Sequence, residues 1–272
     1  MKDKISLAGD LGSGKSTVAD ILIKRLGAEY YSTGAIVRAI AAERGMTVGE
    51  LNTYMETHPE IDHEIDRGIA ALSDDDRLLV IDSRMAWHFT KGTFKVYLSC
   101  DAETSALRIM NAKRCGESTS TLEEMIDCTK ARRESEKKRY MTQYGVDIKD
   151  LMNYSLIVDT SIATPDQVAE CIIRAFERWQ ADKSYTAVFL SPERLHFPEM
   201  ELDGDMLSPF TQGLERGEEV DSITVCEKDG EFYLVDGFEA AIAHVFNFSD
   251  FIPTKLVSAE PEGEYVRMRN SL

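Results

Sequence analysis

Residues 9–16 read Gly-Asp-Leu-Gly-Ser-Gly-Lys-Ser, a G-x-x-x-x-G-K-[ST] spacing that follows the apolar run Ile5-Ser6-Leu7-Ala8 and opens a helical pattern through Leu26. Gly9, Gly12 and Gly14 let the backbone turn back on itself with its N–H groups inward. The dipole of the following helix adds positive charge, so the loop can cradle a polyphosphate. Lys15 would reach the outer phosphates and the Ser16 hydroxyl would sit on Mg²⁺.

Such a loop holds a phosphate donor without naming an acceptor, so the arginines carry the next step. Tyr31-Ser32-Thr33-Gly34 is a turn whose hydroxyls cap a helix that presents Arg38 one turn in, and Arg84 follows the strand-like run ending at Asp82. Arg132, Glu136 and Arg139 fall at i, i+4 and i+7 on one helical face, and Arg108 and Arg114 flank the end of another helix. Any one of these alone is more often a solvated or i±4-paired side chain. As a set they suit phosphoryl transfer between two anions, where catalysis is mostly positioning and charge neutralisation. No general base is needed when the acceptor oxygen is already ionised.

These residues need a scaffold that gathers them. From Met1 to about Gln180, apolar runs at 4–8, 78–82, 94–99 and 154–159 alternate with amphipathic stretches such as 101–113 and 165–179. That is the pattern of a parallel sheet with helices on both faces, an α/β fold, in which ligands bind at the carboxyl ends of the strands. The chain has 272 residues, 43% hydrophobic and 29% charged, enough for one large core or two modest ones. No apolar stretch approaches the roughly 20 residues that span a bilayer, and the N-terminus enters a core strand at once, so the expected location is cytoplasmic with no membrane partner. Five scattered cysteines without a C-x-x-C pair suggest neither disulfides nor a zinc site.

The net charge of −17 is uneven: from Ser184 onward stand 18 acidic and 6 basic residues. So acidic a segment would repel a phosphate backbone, which argues against DNA or RNA as a partner. The shift in composition puts a boundary near 182–184, giving units of 1–183 and 184–272.

The ordered set formed by the glycine-rich loop, Ser32-Thr33-Gly34 with Arg38, Asp82-Ser83-Arg84, Arg108 with Arg114, the run Arg132 to Tyr140, Tyr144-Gly145-Val146-Asp147 and Asp159-Thr160-Ser161 resembles cytidylate kinases, in their short archaeal-type branch. The resemblance covers about residues 4–175. It implies a P-loop nucleoside-monophosphate kinase fold with a core, a mobile monophosphate-binding segment and a lid, using ATP and Mg²⁺ to phosphorylate CMP or dCMP. By that likeness Gly9, Gly12, Ser13, Gly14, Lys15, Ser16 and Thr17 would hold ATP, and Arg38 and Arg84 would grip the acceptor phosphate. Arg132 would bridge towards the transferring group, and Ser32, Glu136 and Arg139 would face the acceptor. Arg108 and Arg114 would be lid arginines that act in catalysis with Lys15 and Arg132. Asp82 would hold Mg²⁺ through a water, or else orient Arg84.

Two departures bear on the acceptor. The turn after Asp82 reads Asp-Ser-Arg where the family commonly has Gly before the arginine, and Glu136 stands where many members have Asp; an added methylene changes which base edge a carboxylate meets. Another nucleotide or a hydroxylated metabolite therefore stays open as acceptor, the latter with Asp82 as base. So does a nucleoside-triphosphate-gated regulatory protein.

Residues 184–258 begin again with Tyr185-Thr186-Ala187-Val188-Phe189-Leu190, and Asp229-Gly230 between two β runs is a hairpin signal. This compact α+β layout resembles the ParB/sulfiredoxin fold. Its helix begins Phe238-Glu239-Ala240-Ala241 without the basic residue that nucleotide-binding members place there, which implies a non-catalytic unit with Asp236 and Glu239 as the candidates if it has a site. A homodimer through either unit is left open.

Overall fold

The computed structural model describes residues 3–112, 121–198, 204–217 and 223–267. In chain order the first part runs β1 (Lys4–Gly9), α1 (Lys15–Leu26), β2 (Glu29–Ser32), α2 (Thr33–Glu43), α3 (Val48–Met55), α4 (Pro59–Ala71), β3 (Leu79–Asp82) and α5 (Ala86–Phe89). It continues with β4 (Thr93–Ser99), α6 (Ala102–Asn111), α7 (Leu122–Tyr144), β5 (Leu156–Asp159) and α8 (Pro165–Ala181). The acidic part contributes β6 (Ala187–Leu190), β7 (Leu195–Pro198), α9 (Gly204–Glu215), β8 (Ile223–Lys228), β9 (Glu231–Asp236), α10 (Phe238–Phe246), β10 (Ile252–Leu256) and β11 (Tyr265–Arg267).

The sheet order is β11-β7-β9-β8-β10-β6-β5-β4-β1-β3-β2. From β2 to β6 every neighbour is parallel, as the buried apolar runs at β1, β3, β4 and β5 require. The sequence pattern missed β2. Glu-Tyr-Tyr-Ser lies at the sheet edge with half of it exposed, so it carries no apolar run to announce it. The register pairs Leu7 and Ser32 with Asp82, Gly9 with Leu98, and Ser99 with Asp159, which brings these strand ends to one rim of the sheet.

The sheet does not stop at the composition shift. β6 pairs in parallel with β5, and β10 then pairs antiparallel with β6, so the strands of the acidic part extend the same sheet. One apolar cluster joins Trp87, Tyr97 and Tyr154 to Leu195, Phe232 and Ile242, so burial also runs across the shift. The hairpin signal is realised: Asp229 and Gly230, at φ 55° and 87°, turn β8 into antiparallel β9.

The two long helices are set by their ends. α8 begins with a reciprocal Thr164 and Gln167 capping box and Pro165 in its first turn, and its apolar face packs on α1 and the sheet. α7 has the Thr121 and Glu124 capping box and stops at Gly145, whose φ of 66° closes the last turn. Unlike α8 it has no apolar stripe, and it buries Glu136, Arg139 and Tyr140 instead. A helix that turns charge inward is arranged for something other than packing.

Candidate functional site

The glycine-rich loop leaves β1 at the rim. A Cβ at Gly9 would overlap the Leu98 carbonyl oxygen, and one at Gly12 would overlap the backbone of Ser105; both glycines have positive φ, so the close approach demands glycine twice over. The Lys15 ammonium closes the loop, donating to the carbonyl oxygens of Gly9 (3.0 Å) and Asp10 (2.8 Å). Burial pushes its pKa down to about 8, against an upward pull from Asp82. Ser13 turns its hydroxyl to the Asp10 carbonyl at 2.8 Å, while Ser16 and Thr17 lie in the first turn of α1.

Asp82 ends β3 beside that turn. Its Oδ2 accepts from the Tyr30 hydroxyl at 3.0 Å, and Tyr30 also interacts with Ser16 and Ser32. Among the described residues no hydrogen bond joins Arg84 to Asp82. Its Nε pairs with Glu136 Oε2, and Asp82 acts on it through charge. The Ser16 hydroxyl and the Asp82 carboxylate, meeting around one phenol, are hard oxygen donors of the kind that hold Mg²⁺ alongside phosphate oxygens.

Ser16, Arg38, Arg84, Arg132, Glu136 and Arg139 line one cavity of about 670 Å³. Glu136 is the centre of its charge arrangement: Oε2 meets Arg84 and Oε1 meets the Arg132 Nε at 3.3 Å. Burial would push its carboxyl up, but the two guanidinium groups outweigh that and hold it below the usual glutamate range. Ser32 serves locally, its hydroxyl capping α2 by accepting from the Ala35 N–H at 3.3 Å. Arg108 lies elsewhere on the rim, donating through Nη2 to the Thr160 carbonyl at 2.8 Å. Arg114 and Cys115 lie outside the described residues.

Several residues of the site were not evident in the sequence. Arg139 is 3.0 Å from Asp62 and donates to the Asn52 carbonyl at 3.3 Å; Asp62 also accepts from Gln143, and Asp66 accepts from the Tyr144 hydroxyl at 2.6 Å. Burial lifts the Asp66 pKa to about 6. The Asn52 Nδ2 is buried with no hydrogen-bond partner among the described residues, so this end of the cavity offers an unspent donor. Asp62 and Asp66 share the buried face of α4 with Ile61, Ile65 and Ile69, and two acids at i, i+4 on an apolar face were the available signal. Arg133, next to Arg132, faces the loop and lies 3.0 Å from the Asp10 carboxylate.

Chemically, the arrangement can hold one anionic group on the glycine-rich loop and a second among the arginines. It would surround both with cations in a partly enclosed space.

Residues 4–162 match the model of the cytidylate kinase-like family. Over 187 residues the chain is 33% identical to the cytidylate kinase of Thermoplasma volcanium, covering 67% of this chain and 96% of that protein. Over 182 residues it is 36% identical to an S-adenosylmethionine-dependent nucleotide dehydratase of Lacinutrix mariniflava, covering 66% of this chain but only 37% of that longer protein. Among solved structures, an uncharacterized protein from Eubacterium ventriosum superposes with a TM-score of 0.51 at 15% identity, over 65% of this chain and 99% of that one, a likeness of fold alone.

Proposed function

The chain belongs to the cytidylate kinase-like family, and from that membership we propose that it transfers the γ-phosphoryl group of ATP to CMP or dCMP, giving ADP and CDP or dCDP. The observation that carries the reading is the single cavity in which Arg38, Arg84, Arg132 and Arg139 converge beside Ser16 at the mouth of the glycine-rich loop. A donor site alone would not need four arginines from three separate elements; a second phosphate-bearing substrate does.

In this reading the loop N–H groups and Lys15 take the β- and γ-phosphates of ATP. Arg38 and Arg84 hold the acceptor phosphate, with Arg84 aimed by Glu136. Arg132, tied to the other oxygen of Glu136, lies between the two anions, where negative charge spreads as the phosphoryl group moves. The attacking oxygen belongs to a phosphate, so no side chain takes a proton. Ser16 and Asp82 would hold Mg²⁺, which supplies further neutralisation of the triphosphate when bound. The Asn52, Asp62 and Arg139 end of the cavity is where the acceptor's base would lie. Arg108 would meet ATP from the β5 rim, and Arg114 would join it.

For residues 184–272 the proposal is a ParB/sulfiredoxin-like extension that acts on structure rather than chemistry. It is supported by its place in the sheet and in the apolar cluster that backs β5.

The test is a coupled ADP-release assay on the full chain with Mg²⁺, ATP and a panel of nucleoside monophosphates and hydroxylated metabolites. Turnover greatest with CMP or dCMP is expected. Turnover with none of the panel would overturn the kinase reading, and turnover with a metabolite alone would move the acceptor and make Asp82 the base.

A further inference from the structure

An acid in the second position of a phosphate-holding loop is a liability, because its charge opposes every anion the loop is meant to bind. Asp10 is that residue, and its carboxylate already acts electrostatically on Lys15. It is 9% exposed, and both oxygens are used: Oδ1 accepts from the Tyr97 hydroxyl at 2.8 Å and Oδ2 from the Cys100 N–H at 2.9 Å. Tyr97 and Cys100 flank the end of β4, so the carboxylate fastens the loop to the neighbouring strand.

The compensating charge comes from α7. Arg133 Nη2 lies 3.0 Å from Oδ1, with both side chains largely buried. Among the described residues the Arg133 Nε and Nη2 make no hydrogen bond that meets full geometry, so the contact with Asp10 is chiefly one of charge. Asp10 and Arg133 also line, with Arg84 and Glu136, a gap of about 20 Å³ between the loop and α7, and space of this size holds one water. The loop and the helix that carries the acceptor-side arginines thus meet at this pair.

We propose that Asp10 and Arg133 form a charge-compensated clasp, in which the carboxylate pins the glycine-rich loop to β4 and α7 while the guanidinium cancels its charge so that the loop can accept a nucleoside triphosphate. Arg133 is a positioning residue here, acting through Asp10 and not by touching the substrate. The inference rests on the kinase reading only in taking ATP as the ligand.

The experiment is calorimetric titration of MgATP into the full chain without any acceptor, for wild type, Arg133→Ala, Arg133→Lys and the double variant Asp10→Asn with Arg133→Ala. Thermal unfolding checks that each is folded. Arg133→Ala leaves a buried carboxylate uncompensated beside the phosphates and should weaken MgATP by about tenfold or more. Lysine keeps the charge, and Asp10→Asn removes the need for it, so both of those proteins should bind within about threefold of wild type. Wild-type affinity in Arg133→Ala overturns the clasp. So does a double variant as weak as Arg133→Ala, because the guanidinium would then act on the nucleotide itself. A wild-type protein that binds MgATP yet phosphorylates neither CMP nor dCMP would sink the proposed function and leave the clasp standing.

Discussion

Arg84 and Glu136 meet in the cavity although they stand 52 residues apart, one just past the end of β3 and the other in the middle of α7. The pairing joins two elements that carry cavity-lining arginines into one wall, since Glu136 also holds Arg132. Glu136→Gln keeps the shape and removes the charge that aims both guanidinium groups. With CMP as acceptor, and with Arg84 in its proposed hold on the acceptor phosphate, the acceptor KM should rise about tenfold while the KM for ATP stays within about twofold. Steady-state kinetics with each substrate varied in turn reads the split. An equal rise for both substrates would contradict the wall.

Lys15 gives a pH signature for the glycine-rich loop. Burial sets its pKa at about 8, and a phosphate on the loop needs the ammonium form. Binding must therefore raise this pKa and take up protons wherever the free protein is partly neutral. Affinity for MgATP should be level below about pH 8 and fall above it, approaching about tenfold per pH unit. Calorimetry at pH 8.5 in buffers of different ionisation enthalpy should show net proton uptake, and its absence would mean that Lys15 is charged before the nucleotide arrives.

The Asp62 and Asp66 end of the cavity has the opposite signature, read in stability. Asp66 has its folded pKa raised to about 6, above its unfolded value, by burial beside Asp62. The folded state therefore binds the proton more tightly. The favourable contribution is complete below the unfolded pKa of about 4 and is lost as pH rises through 6, leaving a buried charge that costs stability at neutral pH. Asp66→Asn should raise the free energy of unfolding at pH 7.5 by about 1 kcal/mol after allowing for partial solvation, and change it little at pH 4.5. Urea titrations at the two pH values measure the difference. A larger gain at pH 4.5 would reverse the assignment.

These charge pairs also mark how far the sequence could be read. The glycine-rich loop was legible because its chemistry is local: eight consecutive residues between a strand and a helix fix both conformation and role. Arg38, Arg84 and Arg132 could be named as a set, since transfer between anions needs cations wherever they come from. The i, i+4 spacing also exposed the pairing of Arg132 with Glu136, whereas the partners of Arg84 and Arg139 on other elements had no such signal. Asp62 and Asp66 lie on a helix whose periodicity announces only burial, and Glu136 bonds to an arginine on another element. The pairing of β6 with β5 was equally hidden, because composition changes at 182–184 while hydrogen bonding does not. Contacts of long sequence separation leave no periodic trace.

Arg194 shows the same limit and yields the sharpest stability test. It is fully buried, donates through Nη1 to Ser161 at 3.1 Å and through Nη2 to the Gly230 carbonyl at 2.7 Å, and stands 3.9 Å from Asp159. A residue of the acidic part thus neutralises a fully buried carboxylate at the end of β5. Burial drives the Asp159 pKa up, and Arg194 is the first force opposing it. Arg194→Met should cost about 3–5 kcal/mol, because it strands that carboxylate. Asp159→Asn in the same chain should return a large part of the loss, as an amide needs no counter-charge. Urea denaturation of the two variants decides it. If the double variant were no more stable than Arg194→Met, the arginine would be working through packing on Phe232 and its bond to Gly230, and the charge at the β5 rim would be balanced by other groups.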